Sequence, residues 1–166
     1  VSRPPSAEAV LLFVSGSWTD TPGAPREILA LNADGSKLEQ LTACAQSAQP
    51  CDFIQVAPSP ERSRLIAIRT TPDAAAGASA LYFMDLSRAV ETIIFPNRRV
   101  LSADYSPDGT FVGFSAIPAQ TADEDLFYSQ PNGKEEQNLT TTPTVSERNP
   151  RIDPFARTVV FEQADA

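Results

Sequence analysis

The sequence predicts an all-β fold made of small antiparallel sheets that repeat along the chain. A proline turn precedes a short apolar run three times, and the prolines, Pro60, Pro107 and Pro154, are spaced 47 residues apart. No segment has the 3.6-residue apolar period that an amphipathic helix requires. The apolar fraction of 42% is enough to form a core in a chain of 166 residues. Together these observations predict a repeat protein whose units cover one another.

The clearest copy of the motif runs from Ser106 to Phe114 and reads Ser-Pro-Asp-Gly-Thr-Phe-Val-Gly-Phe. Pro107 presets one turn torsion, Asp108 can hydrogen-bond its own backbone, and Gly109 accepts a positive φ. The apolar run after the turn predicts a strand that is buried on both faces. The upstream copy, residues 59–68, is interpreted as having one extra residue in its turn.

The remaining elements are short apolar or alternating runs bounded by Gly, Pro, Asn and Asp. Hairpins are predicted at Asp34-Gly35 and Asn132-Gly133, where the chain must adopt a positive φ. In chain order the predicted strands are residues 9–14, 27–32, 37–42, 53–56, 65–68, 80–85, 91–95, 100–105, 110–116, 125–130, 136–140, 150–154 and 158–162.

These strands group into units of a lead-in strand, a strand after the proline turn, an aromatic strand and an outer strand. Four-stranded units of about 40–50 residues are typical of β-propeller blades. The chain supplies about three and a half blades, which fits a piece of a longer protein, a closed four-bladed ring or an open arc that needs a partner. Residues 8–166 form one domain with blade units at about 8–42, 53–95, 100–142 and 150–162, after a lead-in or linker at 1–7.

Composition excludes several classes of function. The net charge of −8 and the scattered Lys and Arg residues argue against nucleic-acid binding, which needs a basic face. No run of eighteen apolar residues is present, so we expect no membrane-spanning segment. The first residues lack the apolar core of a signal peptide, and the missing initiating Met fits a mature or trimmed N-terminus.

Cys44 and Cys51 enclose a short loop, and three interpretations of the pair remain open. They form a disulfide, they are two free thiols, or they hold a metal. A metal site would be short of ligands because the chain contains no histidine. A disulfide would place the protein in an oxidising compartment, either the periplasm or the outside of the cell.

The sequence contains no pattern typical of catalysis, so we expect no catalytic, cofactor-binding or metal-binding residues and no enzyme activity. Without histidine the chain cannot form a Ser-His-Asp triad, and the nucleophile elbow Gly-x-Ser-x-Gly is absent. The glycines are too few and too dispersed to form a phosphate loop. The acidic segment Asp123-Glu124-Asp125 suits calcium in its residue types, but a solvated loop is the simpler interpretation.

The motifs resemble those of the TolB-like β-propellers, a family related to the WD repeats. Its blades read aromatic-Ser-Pro-Asp-Gly before a buried strand, and later an Asp-Gly turn and a Leu-Thr ending. Tyr105 to Gly109 with Val112 to Phe114 match the first half, and Glu27 to Gly35 with Leu41-Thr42 match the second. The copies at 61–62 and 155–156 depart from Asp-Gly, and no Leu-Thr follows Phe95.

The resemblance implies a non-catalytic, extracytoplasmic bacterial propeller that binds other protein chains. It would act as a scaffold, as an accessory or structural subunit of a membrane-associated complex. The alternative is the propeller portion of a serine peptidase similar to the prolyl-oligopeptidase group, with its catalytic domain outside this chain. A propeller enzyme acting on sugars or through a metal would need inward-facing histidines or clustered acids, which the sequence lacks.

Overall fold

The computed structural model describes residues 9–15, 24–47, 51–70, 78–87, 90–96, 98–118, 121–153, 155 and 158–165. Within them the regular structure is β-strand, apart from one 3-10 turn at Cys44–Gln46. The strands are β1 (Ala9–Ser15), β2 (Glu27–Asn32), β3 (Glu39–Gln40), β4 (Asp52–Pro58), β5 (Arg64–Thr70), β6 (Ser79–Asp85), β7 (Val90–Phe95), β8 (Arg99–Tyr105), β9 (Val112–Ile117), β10 (Asp125–Ser129), β11 (Gln137–Asn138), β12 (Val145–Ile152) and β13 (Val159–Asp165). The all-β prediction is confirmed. The expected lead-in at residues 1–7 lies outside the described residues.

The strands form three sheets, of which the largest has eight strands. It consists of two antiparallel units, β4-β5-β6-β7 and β8-β9-β10-β11, joined at one parallel bridge between Ser79 and Arg99. The sheet β1-β2-β3 precedes them and the hairpin β12-β13 follows them. We name these groups the first to fourth blades, and the surfaces between consecutive blades the first, second and third seams. This is the strand order that the predicted blades require.

The proline turn after β8 is closed by Ser106. Its N–H donates to the carbonyl of Phe111 at 2.9 Å, and its hydroxyl oxygen accepts from the Phe111 N–H at 2.9 Å. Gly109 donates to the Ser106 carbonyl with φ of +73°, which glycine adopts without steric cost. Asp108 accepts from the hydroxyl of Ser106 and from the backbone and hydroxyl of Thr110, and these bonds lower its pKa. The predicted turn chemistry is therefore confirmed.

The turn after β4 has the same length as this one, so the expectation of an extra residue in it is wrong. The Ser59 N–H donates to the carbonyl of Arg64 at 2.9 Å, and the Ser59 hydroxyl oxygen accepts from the Arg64 N–H at 3.1 Å. Arg62 stands where Gly109 stands in the other turn, since it donates to the Ser59 carbonyl with φ of +59°. The equivalence of the two turns is not evident from the sequence, because the residue with positive φ is glycine in one turn and arginine in the other.

The Leu-Thr endings attach the outer strands to the sheets. Leu41 donates its N–H to the carbonyl of Ile28 at 2.8 Å, and the Thr42 hydroxyl oxygen accepts from the Ile28 N–H at 2.9 Å. In the third blade residues 139–140 make the same two bonds with Leu126, at 2.7 and 2.9 Å. In each ending the threonine hydroxyl takes the place of a backbone carbonyl as the hydrogen-bond acceptor. The regular strand pairing therefore ends early, and the outer strands are short.

Several strand bounds differ from the prediction, most of all those of two outer strands and of the fourth blade. The predicted outer strands 37–42 and 136–140 contract to Glu39–Gln40 and Gln137–Asn138. The fourth blade begins at Val145 rather than Pro150, because β12 continues on both sides of an irregular register between Arg148 and Arg151.

Alternate residues of a central strand enter different cores because successive side chains face opposite ways. Leu65 and Ala67 of β5 belong to the first-seam core, whereas Ile66 and Ile68 belong to the second-seam core. The first-seam core consists of Ile28, Ala30, Leu41, Cys44, Cys51, Phe53, Leu65, Ala67, Met84 and Leu86. The second-seam core consists of Ala57, Ile66, Ile68, Leu81, Phe95, Val100, Ala103, Tyr105, Val112, Phe114, Ala116 and Phe127. Each blade therefore shields the apolar face of the next one.

Bulges in the lead-in strands direct polar groups across two of the seams. The register of β4 on β5 shifts just before Gln55, and that of β8 on β9 shifts just before Ser102. The Gln55 side chain donates to the carbonyl of Ala103 at 2.9 Å and accepts from its N–H at 3.2 Å. The Ser102 hydroxyl oxygen accepts from the N–H of Asn149 at 3.1 Å. Since a bulge re-aims a side chain, each shift lets one blade hold the lead-in strand of the next.

Candidate functional site

A cavity of about 250 Å³ lies between the loop that follows β3 and the sheet of the second blade. We name it the disulfide cavity. Each strand of the second blade contributes one side chain to it: Phe53 from β4, Arg69 from β5, Met84 from β6 and Glu91 from β7. The loop side is formed by Thr42, Ala43, Cys44, Ser47 and Cys51.

The loop is closed by a disulfide between Cys44 and Cys51, whose Cα atoms are 5.1 Å apart. The structure therefore has the first of the three arrangements that the sequence leaves open. The two cysteines are only 3% and 5% exposed, and they pack in the first-seam core together with Phe53. The bridge thus fixes one wall of the cavity against the second blade.

The opposite wall carries a loosely paired cation. Arg69 is 11% exposed in its side chain, its guanidinium lies 4.9 Å from the ring centre of Tyr82, and its Nη1 is 3.8 Å from Oε2 of Glu91. A separation of 3.8 Å is short enough for an ion pair but too long for a hydrogen bond. The Nε of Arg69 is buried and has no hydrogen-bond partner among the described residues. Burial raises the pKa of Tyr82, with the Arg69 charge opposing the shift and the Glu91 charge adding to it.

A second charged contact closes the first seam beside this cavity. Arg26 donates from its backbone N–H at 2.7 Å and from its guanidinium to both carboxylate oxygens of Asp52. Burial alone would raise the pKa of Asp52, but the hydrogen bonds and charge of Arg26 outweigh burial and lower it. We interpret this ion pair as a structural contact, because the donors of Arg26 and the acceptors of Asp52 are already hydrogen-bonded to one another.

The acidic segment 123–125 does not gather its carboxylates around one point. Asp123 accepts from the N–H of Thr144 at 3.0 Å, and Glu124 pairs with Arg148 at 3.2 Å. Asp125 is buried rather than solvated, because it begins β10 and accepts from the amide of Asn138 at 2.8 Å. The solvated-loop interpretation is therefore wrong for this one residue. Within the described ranges no group of three or more His, Cys, Asp and Glu side chains is placed to hold a metal ion.

The sequence indicates Cys44 and Cys51 as a pair, and the structure brings them together at the cavity. Arg69 and Glu91 have no such signal, because they are isolated charges in separate strands with no pattern linking them. The only signal was a charged residue directly after the apolar run 65–68. No helix in the described part of the chain has the length and hydropathy needed to cross a membrane.

No family model and no curated protein matches the sequence. Solved structures do match the fold. A protein of Agrobacterium tumefaciens assigned as TolB is 20% identical over 98% of this chain and 53% of its own, with a TM-score of 0.70. The β-propeller domain of the trilobed protease of Pyrococcus furiosus is 9% identical over 98% of this chain and 52% of its own, with a TM-score of 0.58.

An oligogalacturonate lyase of Vibrio parahaemolyticus is 11% identical over 84% of this chain and 42% of its own, with a TM-score of 0.62. This chain spans about half the length of the first two structures and less of the third. These proteins differ in function, so the likeness concerns architecture alone. It agrees with the strand order and the shared cores described above, and the chain has the fold of a TolB-like β-propeller.

Proposed function

We propose that this chain is a non-catalytic, extracytoplasmic propeller that binds other protein chains as an accessory or structural subunit of a membrane-associated complex. The observation that carries the proposal is the similarity of fold to the TolB-assigned protein, which extends over 98% of the chain. Because fold does not imply function, two features of this chain's own residues are needed as further support.

The first feature is the disulfide. Disulfides persist in oxidising compartments and are rare in the cytosol, so the Cys44–Cys51 bridge supports a periplasmic or other extracytoplasmic site. The test is alkylation of the natural protein, trapped rapidly from intact cells, under denaturing and non-reducing conditions. We expect no modification of either cysteine before reduction and modification of both after it. Two reactive thiols without reduction would overturn the assignment to that compartment.

The second feature is an apolar side chain exposed on or beside the outer strand of each of the first three blades. These are Leu38, Ile93 and Leu139, with exposures of 41, 48 and 44%. The three residues are not at equivalent positions, because Leu139 corresponds to Leu41 of the first blade, and single exposed apolar residues are ordinary. Their placement at the outer edges of three consecutive blades still supports a surface that a macromolecule contacts. The acidic net charge adds a preference for a partner with basic residues.

The partner contact is tested on the natural full-length protein with crosslinking and mass spectrometry of its membrane-associated assembly. We expect crosslinks from the outer strands to a second chain, and their loss in the triple variant Leu38→Ser, Ile93→Ser and Leu139→Ser. Phe155→Ser is the matched control, because Phe155 is also apolar and is 82% exposed, but it lies in a turn of the fourth blade. Equal loss in both variants, or a monomeric protein without crosslinks, would refute the scaffold role.

The similarity to the trilobed protease propeller favours one alternative, the propeller portion of a prolyl-oligopeptidase-like serine peptidase. In that case the catalytic serine lies in a different domain of the same polypeptide. A fluorophosphonate probe, which labels activated serines, distinguishes the two proposals when applied to the natural full-length protein. The scaffold role predicts no labelling, whereas labelling that a serine-peptidase inhibitor blocks would select the peptidase.

A further inference from the structure

The outer edge of the second blade differs from the outer edges of the blades on either side. Strand β7 is six residues long and pairs with β6 along one side, and no described strand pairs with its other side. The outer strands β3 and β11 contain only two polar residues each. The second blade therefore presents a longer row of backbone N–H and carbonyl groups along its edge than its neighbours do.

The composition of β7 favours pairing with a further strand. It reads Val-Glu-Thr-Ile-Ile-Phe, in which five of the six residues are β-branched or aromatic. Native proteins normally protect a sheet edge with proline, lysine, a bulge or a very short strand. β7 contains neither proline nor lysine, and its one irregularity of register lies near its C-terminal end, beside Leu81 and Tyr82. The part from Val90 to Ile93 is in regular register, so its edge is unprotected.

Two side chains on one face of β7 define the chemistry of this edge. Glu91 lies opposite Met84 and Ile93 lies opposite Tyr82, so the two are neighbours on the same face. Both are exposed, Ile93 to 48%. Arg69 lies 3.8 Å from the Glu91 carboxylate, but its side chain is only 11% exposed. The edge therefore presents a negative charge and an apolar side chain to an approaching chain.

We propose that the partner chain of the proposed complex binds at the free edge of β7 by adding one extended strand to the second blade. The added strand runs antiparallel to β7 and pairs with its outward-facing N–H and carbonyl groups. It carries a lysine or arginine beside Glu91 and an apolar residue beside Ile93. This inference rests on the proposed scaffold role and names the position and the chemistry of the contact.

The charges favour a different chain over a second copy of this one. A second β7 would bring another Glu91 to the same edge, and each chain already carries a net charge of −8. Like charges across a strand pair are destabilising, whereas opposite charges and apolar pairs stabilise it. In peptides that add to sheet edges, the backbone bonds supply affinity and alternate side chains supply specificity. A strand that alternates basic and apolar residues on one face meets both requirements.

The first experiment is a titration of the folded full chain with the peptide Ser-Thr-Val-Thr-Lys-Val-Ser, followed by two-dimensional NMR. Antiparallel to β7, this peptide places its lysine beside Glu91 and its first valine beside Ile93. We expect saturable one-to-one binding that shifts the amide signals of β7 and not those of β3 or β11. A peptide with glutamate in place of lysine should bind at least about threefold more weakly. Equal binding of the two peptides would overturn the charge assignment, and no saturable binding would overturn the site.

N-methylated peptides test whether the backbone pairs. Alternate N–H groups of an extended strand point to opposite edges, so methylation of residues two, four and six blocks one edge and methylation of residues three and five blocks the other. We expect one of these peptides to bind at least about tenfold more weakly than the other, because only one edge faces β7. Equal binding of the two would show contact through side chains alone and would refute the added strand.

Variants assign the binding to β7. Ile93→Lys removes the apolar contact and places a cation beside the peptide lysine, so we expect binding at least about tenfold weaker. Leu139→Lys is the matched control, because Leu139 is 44% exposed and lies beside the short strand β11. Circular dichroism verifies that both variants are folded. Unchanged binding in Ile93→Lys, or an equal loss in the control, would contradict the proposal.

Size-exclusion chromatography of the unmodified chain tests the other occupant of this edge, a second copy. We expect a monomer. A dimer that Ile93→Lys abolishes would assign the edge to a second copy and overturn the partner strand.

Hydrogen exchange separates this proposal from the scaffold role. The amides of β7 are compared between the isolated chain and the natural membrane-associated assembly, and we expect exchange at least about tenfold slower in the assembly. Unchanged exchange in an assembly that does form would overturn the edge and leave the scaffold role intact. A natural protein without any partner chain would overturn the scaffold role and the partner assignment together.

Discussion

The second and third seams lie on opposite faces of the same strand, β9, and are built from different chemistry. On the second-seam face Phe114 is stacked between Phe95 and Phe127, with ring centres 4.9 and 5.3 Å away. On the third-seam face the neighbouring residues are Gly113 and Ser115, which contain little or no side-chain carbon. Strand β9 therefore packs on the second blade through large aromatic side chains, and its small residues let the fourth blade approach its backbone closely.

The third seam compensates with directed polar contacts. Asp104 pairs with Arg151 of the fourth blade at 3.3 Å, and the Ser102 hydroxyl, which lies 2.7 Å from the Ser115 hydroxyl of its own blade, accepts from the Asn149 N–H at 3.1 Å. The Glu147 N–H donates to the carbonyl of Glu124 at 2.8 Å. Apolar packing contributes the larger free energy but tolerates sliding, whereas hydrogen bonds define which residues face one another. Consecutive seams of one repeated fold can therefore be stabilised by different interactions, apolar packing in one and polar contacts in the next.

The largest effect is expected from Phe114→Ala in the second seam. Removing a fully buried aromatic side chain leaves a cavity and should lower the free energy of unfolding by about 3–5 kcal/mol. Urea unfolding followed by circular dichroism measures it. Phe111→Ala is the matched control, because Phe111 is only partly buried and makes one edge-on contact with Tyr128. Equal losses in the two variants would contradict the role of the aromatic stack.

Gly113→Val tests whether the third seam depends on close approach. A Cβ at this position would lie 3.3 Å from Cδ1 of Ile152, so the larger valine should overpack the seam and cost about 1–3 kcal/mol. The measurement is again urea unfolding, now as a double-mutant cycle with Ile152→Ala. If the second substitution does not recover part of the loss, the contact with Ile152 is not the cause.

Ser102→Ala tests the polar link of the third seam. It removes the acceptor for the Asn149 N–H and leaves the buried Ser115 hydroxyl without this partner, so we expect a loss of about 1–2 kcal/mol. The double variant with Ser115→Ala should cost less than the sum of the two single variants. Strict additivity of the two unfolding free energies would show that the hydroxyls do not interact.

The smallest effect concerns pH. Burial raises the pKa of Asp104 by more than the charge of Arg151 lowers it. The unfolded chain therefore releases this proton first, and stability falls as the pH rises from the ordinary pKa of 3.8 toward the higher folded value. Asp104→Asn removes this fall, so its unfolding free energy should gain on that of the unmodified chain over that window, by less than about 1 kcal/mol.

Asp52 provides the control of opposite sign. Its pKa is lowered in the folded chain, so its contribution is present above the ordinary value of 3.8 and is lost as the pH falls through the folded value. Asp52→Asn should therefore lose stability relative to the unmodified chain above that value and approach it in acid. The two substitutions are compared by urea unfolding between about pH 3 and about pH 6. The same direction of change in both would contradict the assigned causes.

Strand positions were predictable because period-two burial and the proline turns are local properties of the sequence. The strand Glu27–Asn32 was predicted to the residue. The outer strands at 37–42 and 136–140 were predicted too long, because the hydroxyls of Thr42 and Thr140 replace the backbone hydrogen bonds that the end residues would make. The residues around each threonine do not predict that its hydroxyl will replace a backbone hydrogen bond, because the bonded partner lies in another strand.

The candidate site was less predictable than the fold. Cys44 and Cys51 are close in sequence, so their pairing was one of few options. The charges at 69 and 91 meet only because β5, β6 and β7 lie side by side, which places Arg69, Tyr82 and Glu91 on one face. Spatial neighbours separated by two hairpins leave no trace in a single sequence.

The lone bridge between Ser79 and Arg99 has a mechanical consequence. Since the second and third blades share almost no ladder of backbone hydrogen bonds, a load applied along the chain meets resistance inside each blade and far less between blades. Pulled from its ends, the molecule should unfold in discrete steps, one blade per rupture, while the blades not yet reached keep their amide protons protected from solvent.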